Sequence, residues 1–397
     1  MTTTTAADAG FRGNRLAVAG MFLLIGIMLG TWYARLPQVR TELGLSDGGL
    51  AVVLLTQTVG VLIAMQVASP LTQRFGSRAV IRVTSVLVPW FPLVTVLMPN
   101  AVAAGGVLLG WGLVAGLLDV NINAQGVRVE ELARKPILNR LHAVWGIGSL
   151  LGSVLTVLAD RLNIAMSVQF LVIAAVLTLI ALLSGRGLRA DTVVAQRKSR
   201  PGLRAGWTRA IVLLGLIGAA AALCESAVST WCGIFLTEQR AAPAGLASLG
   251  YTAFILAETS TRLIGDRLHG RVGAVALVRA AMATTVLGIG LTVLVPSAWL
   301  DIVGFAIQGC GLAVLIPIIT GAVGHGATGG GQSASVAIAR YSTLYYGGIV
   351  AGPSLLGWLS QALGVSTALT LLVMPLAAIG LLAKVTAPAS RITARAG

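Results

Sequence analysis

Apolar runs of about 20 residues recur from residue 15 to residue 385 with only short polar intervals between them, and each is close to what a helix needs to cross roughly 30 Å of hydrocarbon. The composition agrees: 56% of residues are hydrophobic, 10% are charged and the mean hydropathy is +0.89, a balance that no soluble globular protein needs. Hydropathy and breakers predict twelve helices, over 15–34, 48–70, 79–98, 101–124, 141–160, 164–184, 209–236, 244–265, 274–295, 300–323, 334–360 and 365–385. Removing them leaves no soluble domain. The polar start, MTTTTAADAGFRGNR, precedes a long apolar span with no small-residue cleavage site, so it reads as a tail on a retained helix rather than a signal peptide.

Charge gives the expected orientation. Of the 28 Lys and Arg, twenty-two fall in segments sharing one side of this map, four (Arg35, Arg40, Arg161 and Arg240) fall on the other, and Arg262 and Arg340 lie within spans. By the positive-inside rule both termini face the cytoplasm. That asymmetry also accounts for the net charge of +15 without nucleic acid. Cys224, Cys232 and Cys310, all inside apolar runs, form neither a disulfide framework nor a metal spacing. The longest polar interval, GRGLRADTVVAQRKSRPGLRAGWTR, carries seven basic residues to one acid and reads as a linker facing anionic lipid. The expected organisation is therefore a disordered tail at 1–14, a six-helix bundle at 15–184, a linker at 185–208, a second six-helix bundle at 209–385 and a tail at 386–397.

The halves repeat weakly. RFGSRAVIR and RVGAVALVR share R-x-G-x5-R, placing Arg74, Gly76 and Arg82 over Arg271, Gly273 and Arg279 at an offset of 197. RLHAVWGIGSLLGS and RYSTLYYGGIVAGP pair Arg140 with Arg340, Trp145 with Tyr345, Gly148 with Gly348 and Gly152 with Gly352 at an offset of 200. GTW and STW pair Trp32 with Trp231 at 199. Three matches near one spacing indicate a duplication in parallel orientation. The G-x3-G glycines fit close helix packing.

These residues resemble the major facilitator superfamily over the full length. The loop after the second span is similar to that family's G-x-L-x-D-R-x-G-R-K motif: Leu71, Arg74, Gly76 and Arg78 match, while Ser69 and Gln73 replace the first glycine and the aspartate. The second copy keeps Leu268, Arg271 and Gly273, with Asp266 and Gly270 at those two places. DVNINAQGVRVEE, NRLHAVWGIGSLLG and ESAVSTW resemble the bacterial branch related to the proton-linked fucose permease, although the first span has no carboxylate of the kind that permease is thought to use. The resemblance implies an all-α membrane protein of two pseudo-symmetric six-helix bundles that rock around a midplane site lined by spans one, four, seven and ten.

A charge within a span costs roughly 2.5 to 3.5 kcal/mol on insertion scales, so each needs a partner, water or a function. Asp119 lies about 7 Å from the cytoplasmic end of the fourth span, with Asn123 at i+4 on the same face. It is either a proton or substrate group at the inner mouth, Asn123 beside it in the cavity, or a gate partner for Arg74, Arg78 or Arg340. His142, at the start of the fifth span, is an interfacial histidine or a proton relay. Glu225 lies about 24 Å along the seventh span, near the midplane, where the charged form is disfavoured. It is expected to carry proton coupling, with Ser229 on the same face, or else to bond across helices. Trp32 and Trp231, near the outer ends, are belt anchors or a substrate-facing pair. Glu258 and Arg262, at i and i+4, neutralise each other or form an anion site. Arg340 snorkels to the cytoplasm or binds an anion, and Arg271 joins the charged network with Arg74.

The expected function is proton-coupled movement of a small organic solute across the cytoplasmic membrane. Two alternatives stay open: proton-driven export of drugs or natural products, and a sensor or scaffold without flux. No nucleophile and base constellation, metal cluster or phosphate loop suggests an enzyme. No cofactor is expected. The expected partners are substrate, protons and membrane lipids, with the chain acting as a monomer.

Overall fold

The computed structural model describes residues 6–133, 138–189, 207–329 and 334–387. It is nearly all helix, and ten helices are long and apolar enough to cross a membrane. Helix covers most of each interval expected to be helical, with three of the twelve interrupted. The two that fall short in apolarity are the eighth and eleventh: the former carries Glu258 and Arg262, the latter Arg340 and Tyr341, Tyr345 and Tyr346.

The chain divides into two compact units, residues 1–195 and 196–397. The first contains α1 (Ala6–Glu42), α2 (Asp47–Phe75), α3 (Ser77–Leu87), a 3₁₀ turn (Val88–Trp90), α4 (Phe91–Val96), α5 (Ala101–Ala133), α6 (Leu138–Arg161) and α7 (Met166–Gly187). Here α2 lies along α5, and α1 along α6 and α7. The second contains α8 (Arg209–Arg240), α9 (Ala244–Val272), α10 (Ala274–Leu294), α11 (Ala298–Leu312), α12 (Leu315–Gly329), α13 (Ala334–Leu363), α14 (Val365–Leu371) and α15 (Val373–Leu382). Its centre is α8, packed against α13, α9, α12, α15 and α11.

The first helix starts earlier than expected. Residues 6–14 continue α1 instead of forming a tail, because extending an existing helix avoids the cost of nucleation, and Ala6, Ala7 and Ala9 offset the unfavourable Asp8 and Gly10. Residues 1–5, most of the linker (190–206) and the tail from 388 lie outside the described residues.

Three expected spans are built from pieces, and proline explains each interruption. A proline lacks the N–H that would bond the carbonyl four residues earlier. Pro92 addresses Val88, where the 3₁₀ turn begins; Pro317 addresses Ala313, just after α11 ends; Pro375 addresses Leu371, the last residue of α14. Pro37, Pro70 and Pro353 sit inside helices that continue through them.

The repeated glycines set helix spacing. A Cβ at Gly152 of α6 would collide with the Ile27 carbonyl of α1, and one at Gly348 of α13 with the Ala219 carbonyl of α8. In each unit these backbones touch where the halves repeat.

Candidate functional site

In the second unit, two helices bring together the charges that lie apart in sequence. Arg262, on α9, donates from a single nitrogen, Nη2, to Glu258 Oε1 one turn earlier at 2.6 Å and to Glu225 Oε1 of α8 at 3.1 Å. The two carboxylates are also within hydrogen-bonding reach of each other. Glu258 is 1% exposed, whereas the side chains of Glu225 and Arg262 are 22% and 30% exposed. The cluster thus has an inner acid and an accessible edge. Its formal charge is −1, since one guanidinium serves two carboxylates.

Two further elements complete it. Arg262 Nε donates to the Ala313 carbonyl, between α11 and α12, at 3.4 Å. On α13, Tyr345 lies within electrostatic reach of Glu225 and Arg262. It stacks on Tyr341 with ring centroids 5.8 Å apart and meets Tyr346 edge-on at 5.3 Å. Thr320 of α12 donates to the Tyr341 hydroxyl at 3.3 Å. Neither the tyrosines nor the Ala313 carbonyl was anticipated as part of a site. The signal was present: three of the chain's five tyrosines fall within six residues, in a span whose other side chains, Arg340 aside, are small or apolar.

In the first unit, GLLDVNINAQG splits into two faces. Asn121 and Gln125, each 1% exposed, tie helices together. Thr72 of α2 donates to Asn121 Oδ1 at 2.8 Å, and Gln125 Nε2 donates to Ser77 of α3 at 2.7 Å and to the Arg189 carbonyl at 3.1 Å. Asp119 and Asn123 occupy the other, half-buried face, where Asn123 Nδ2 donates to the Asp119 carbonyl at 2.9 Å and to its carboxylate at 3.1 Å. The expected ion pair of Asp119 with Arg74 or Arg78 is not formed. Asn123, one turn on, supplies the donor instead.

Several expected positions differ. Trp32 and Trp231 are 1% and 0% exposed, so both are packed inside the protein rather than standing in a belt at the lipid interface. Trp32 packs edge-on against Trp111 at 4.8 Å, and Trp231 Nε1 donates to the Pro353 carbonyl at 3.0 Å. Ser229 is nearly buried and turned onto its own helix, donating to the Glu225 carbonyl at 2.7 Å. That back-bond satisfies the hydroxyl without a ligand. His142 is exposed and edge-on to Phe22 at 5.2 Å. Arg74 lies over the Phe75 ring at 5.3 Å and Arg340 over Trp207 at 5.7 Å. Arg78 is half-buried and Arg271 exposed.

Two buried ion pairs were missed. Arg35 of α1 pairs with Asp160 of α6 and donates through Nε to Gln169 of α7 at 2.7 Å, with Gln169 donating in turn to Thr156 at 2.8 Å. Arg240 of α8 pairs with Asp301 of α11 at 2.7 Å, and Gln308 donates to Thr292 at 3.2 Å. The same four residue types, Arg, Asp, Gln and Thr, tie the first helix of each unit to a pair of consecutive helices. Arg40 pairs with Asp47 at 2.8 Å. Hence three of the four cations on the basic-poor side have acid partners, which their violation of the charge rule could have signalled.

Among the described residues no group of three or more His, Cys, Asp or Glu could hold a metal ion. Membrane-crossing helices in two compact units, with ionisable groups gathered inside the spans, define a multi-pass carrier. No protein-family model matches the chain. It is 30% identical over 350 residues to an uncharacterized transporter of Sinorhizobium fredii, covering 87% of this chain and 90% of that one. It is 29% identical over 356 residues to an uncharacterized MFS-type transporter of Yersinia pestis, covering 87% and 89%. Membrane protein MosC of Rhizobium meliloti is 28% identical over 361 residues, covering 90% and 86%. Among solved structures, a mutant form of the nucleoside transporter NupG superposes with a TM-score of 0.76 at 12% identity, covering 94% of this chain and 98% of that one. FucP, in the outward conformation, superposes with a TM-score of 0.64 at 14% identity, covering 95% and 99%. The chain belongs to the major facilitator superfamily and is a transporter rather than an enzyme.

Proposed function

We propose that this transporter moves a small organic solute across the cytoplasmic membrane by alternating access, driven by protons, with both termini in the cytoplasm. The observation that carries the reading is the guanidinium nitrogen shared by Glu225 and Glu258. Two carboxylates on one cation leave a surplus negative charge within the spans, which is costly there. A proton on either acid makes the cluster neutral, and like charges this close favour sharing one proton. Glu225 is the acid on the accessible edge, so it is the group that exchanges protons. A carrier that reorients only with the cluster neutralised couples proton entry to solute movement, in uptake or antiport alike.

The test begins with thermal-shift screening of sugars, organic acids, nucleosides and drug-like cations, since a ligand for the folded state raises its apparent stability. A stabilising compound is then followed in proteoliposomes. The native protein should accumulate it, or expel it, in response to a pH gradient. Glu225→Gln, neutral but similar in shape and hydrogen bonding, should exchange it without concentrating it. Gradient-driven accumulation by Glu225→Gln would remove Glu225 from coupling and leave Asp119 and Glu258 as the carboxylates to test.

A further inference from the structure

The interruption at Ala313 and the charge cluster meet at one hydrogen bond. Pro317 has no N–H to offer the Ala313 carbonyl, and α12 resumes only at Leu315. A carbonyl left without a donor inside a membrane-spanning segment is costly, and Arg262 Nε supplies that donor at 3.4 Å. The consequence falls on the acids. A guanidinium grips a carboxylate best with two parallel N–H groups. With Nε turned to the backbone, Nη2 alone serves both Glu258 and Glu225, at 2.6 and 3.1 Å.

The geometry points to Pro317 as a positioning residue: by freeing the Ala313 carbonyl it holds the Nε edge of Arg262 away from the acids, leaving them short of donors and open to a proton. This rests on the proton-coupling reading above and adds what sets its working range. Comparing the two halves supports it. Gly110-Trp111-Gly112-Leu113 and Gly309-Cys310-Gly311-Leu312 share G-x-G-L at an offset of 199, which places Pro317 on Leu118 and Ala313 on Val114. There α5 runs unbroken from Ala101 to Ala133. At the same offset Glu225 falls on Gly26, and at the 197 of the neighbouring loops Glu258 and Arg262 fall on Val61 and Met65. The first unit has neither the proline nor the charges; the second has both. Among the described residues, Tyr341 and Tyr345 on α13 lie within electrostatic reach of Glu225, and Tyr346 within reach of Tyr345. Phenols ionise near pH 10, so a response between about pH 5 and 8 belongs to the carboxylates.

The test uses the purified full-length protein without ligand and follows its thermal midpoint across that pH range. The part of the profile that disappears in Glu225→Gln reports protonation of the cluster. Pro317→Ala restores an N–H for Ala313 and releases Nε to the acids. The Glu225-dependent step should then move to lower pH by about one unit, the displacement that one charge-assisted hydrogen bond produces. Lysine has no Nε, so in an Arg262→Lys background Pro317→Ala should leave the step where it is. If Pro317→Ala does not fold, Pro317→Gly supplies the same N–H. An unmoved step in the native background, or an equal shift in the Arg262→Lys background, overturns the positioning role while leaving proton coupling standing. A profile unchanged by Glu225→Gln overturns both.

Discussion

The Arg240–Asp301 pair offers a direct measure of how much a buried charge contributes to holding a unit of this protein together. Asp301 is 0% exposed and the Arg240 side chain 15%. Nε and Nη2 of Arg240 donate to the two Asp301 oxygens at 2.7 and 3.4 Å, while Nη2 also reaches the Thr292 and Val295 carbonyls at 3.2 Å. Asp301→Ala strands the guanidinium beside those carbonyls and the Phe235 ring, 5.4 Å away. Removing one partner of a buried pair costs about 3 to 5 kcal/mol. The remaining acceptors and partial exposure favour the lower end, about 3 kcal/mol, or roughly 6 to 12 °C for a unit of this size. Cys224 and Cys232, buried on the helix that carries Arg240, make thiol labelling during heating a local reporter. Adding Arg240→Met removes the stranded charge, so the double variant should recover at least half of the loss. A double variant as unstable as Asp301→Ala, or worse, would refute the argument that the penalty comes from an unpaired cation.

Gly348→Ala places a methyl group against the Ala219 carbonyl and should lower stability by about 1 to 3 kcal/mol, whereas Gly347→Ala, whose added carbon meets nothing within 4 Å, should be neutral or raise it by up to about 1 kcal/mol; thermal unfolding of the pair separates backbone contact from helix propensity. Reporter fusions at residue 195 and after residue 397 should both give cytoplasmic signals, and an external signal from either would reject the proposed orientation.

The helices were legible because lipid allows an apolar run few other conformations, and the Glu258–Arg262 pair because i and i+4 share a helix face. That Glu225 joins them on the same nitrogen was not, since periodicity along one helix does not specify which face of the next it meets. The tryptophans show the same limit. Distance from a span end gives depth, but Trp32 and Trp231 were decided by the direction they face, which is inward. In GLLDVNINAQG the faces were readable: at 3.6 residues per turn Asp119 and Asn123 share one side, Asn121 and Gln125 the other. The breaks near Val88, Ala313 and Leu371 were readable too, each lying four residues before a proline.

The acids that pair with Arg35, Arg40 and Arg240 act after the chain has been inserted, when the helices of each unit come together. Orientation in a membrane is chosen while the chain is being inserted, by cations that resist crossing. Asp160, Asp47 and Asp301 lie at the same ends of the spans as the arginines they meet, so each of these cations has an anion beside it once the chain is folded. Arg161, exposed and without an acid partner among the described residues, is left as the one uncompensated cation on that side. Substituting any of the three aspartates therefore strands an arginine in its folded unit without changing how the chain is oriented, because acids contribute little to that choice, and the expected result is less folded protein with reporter topology unchanged.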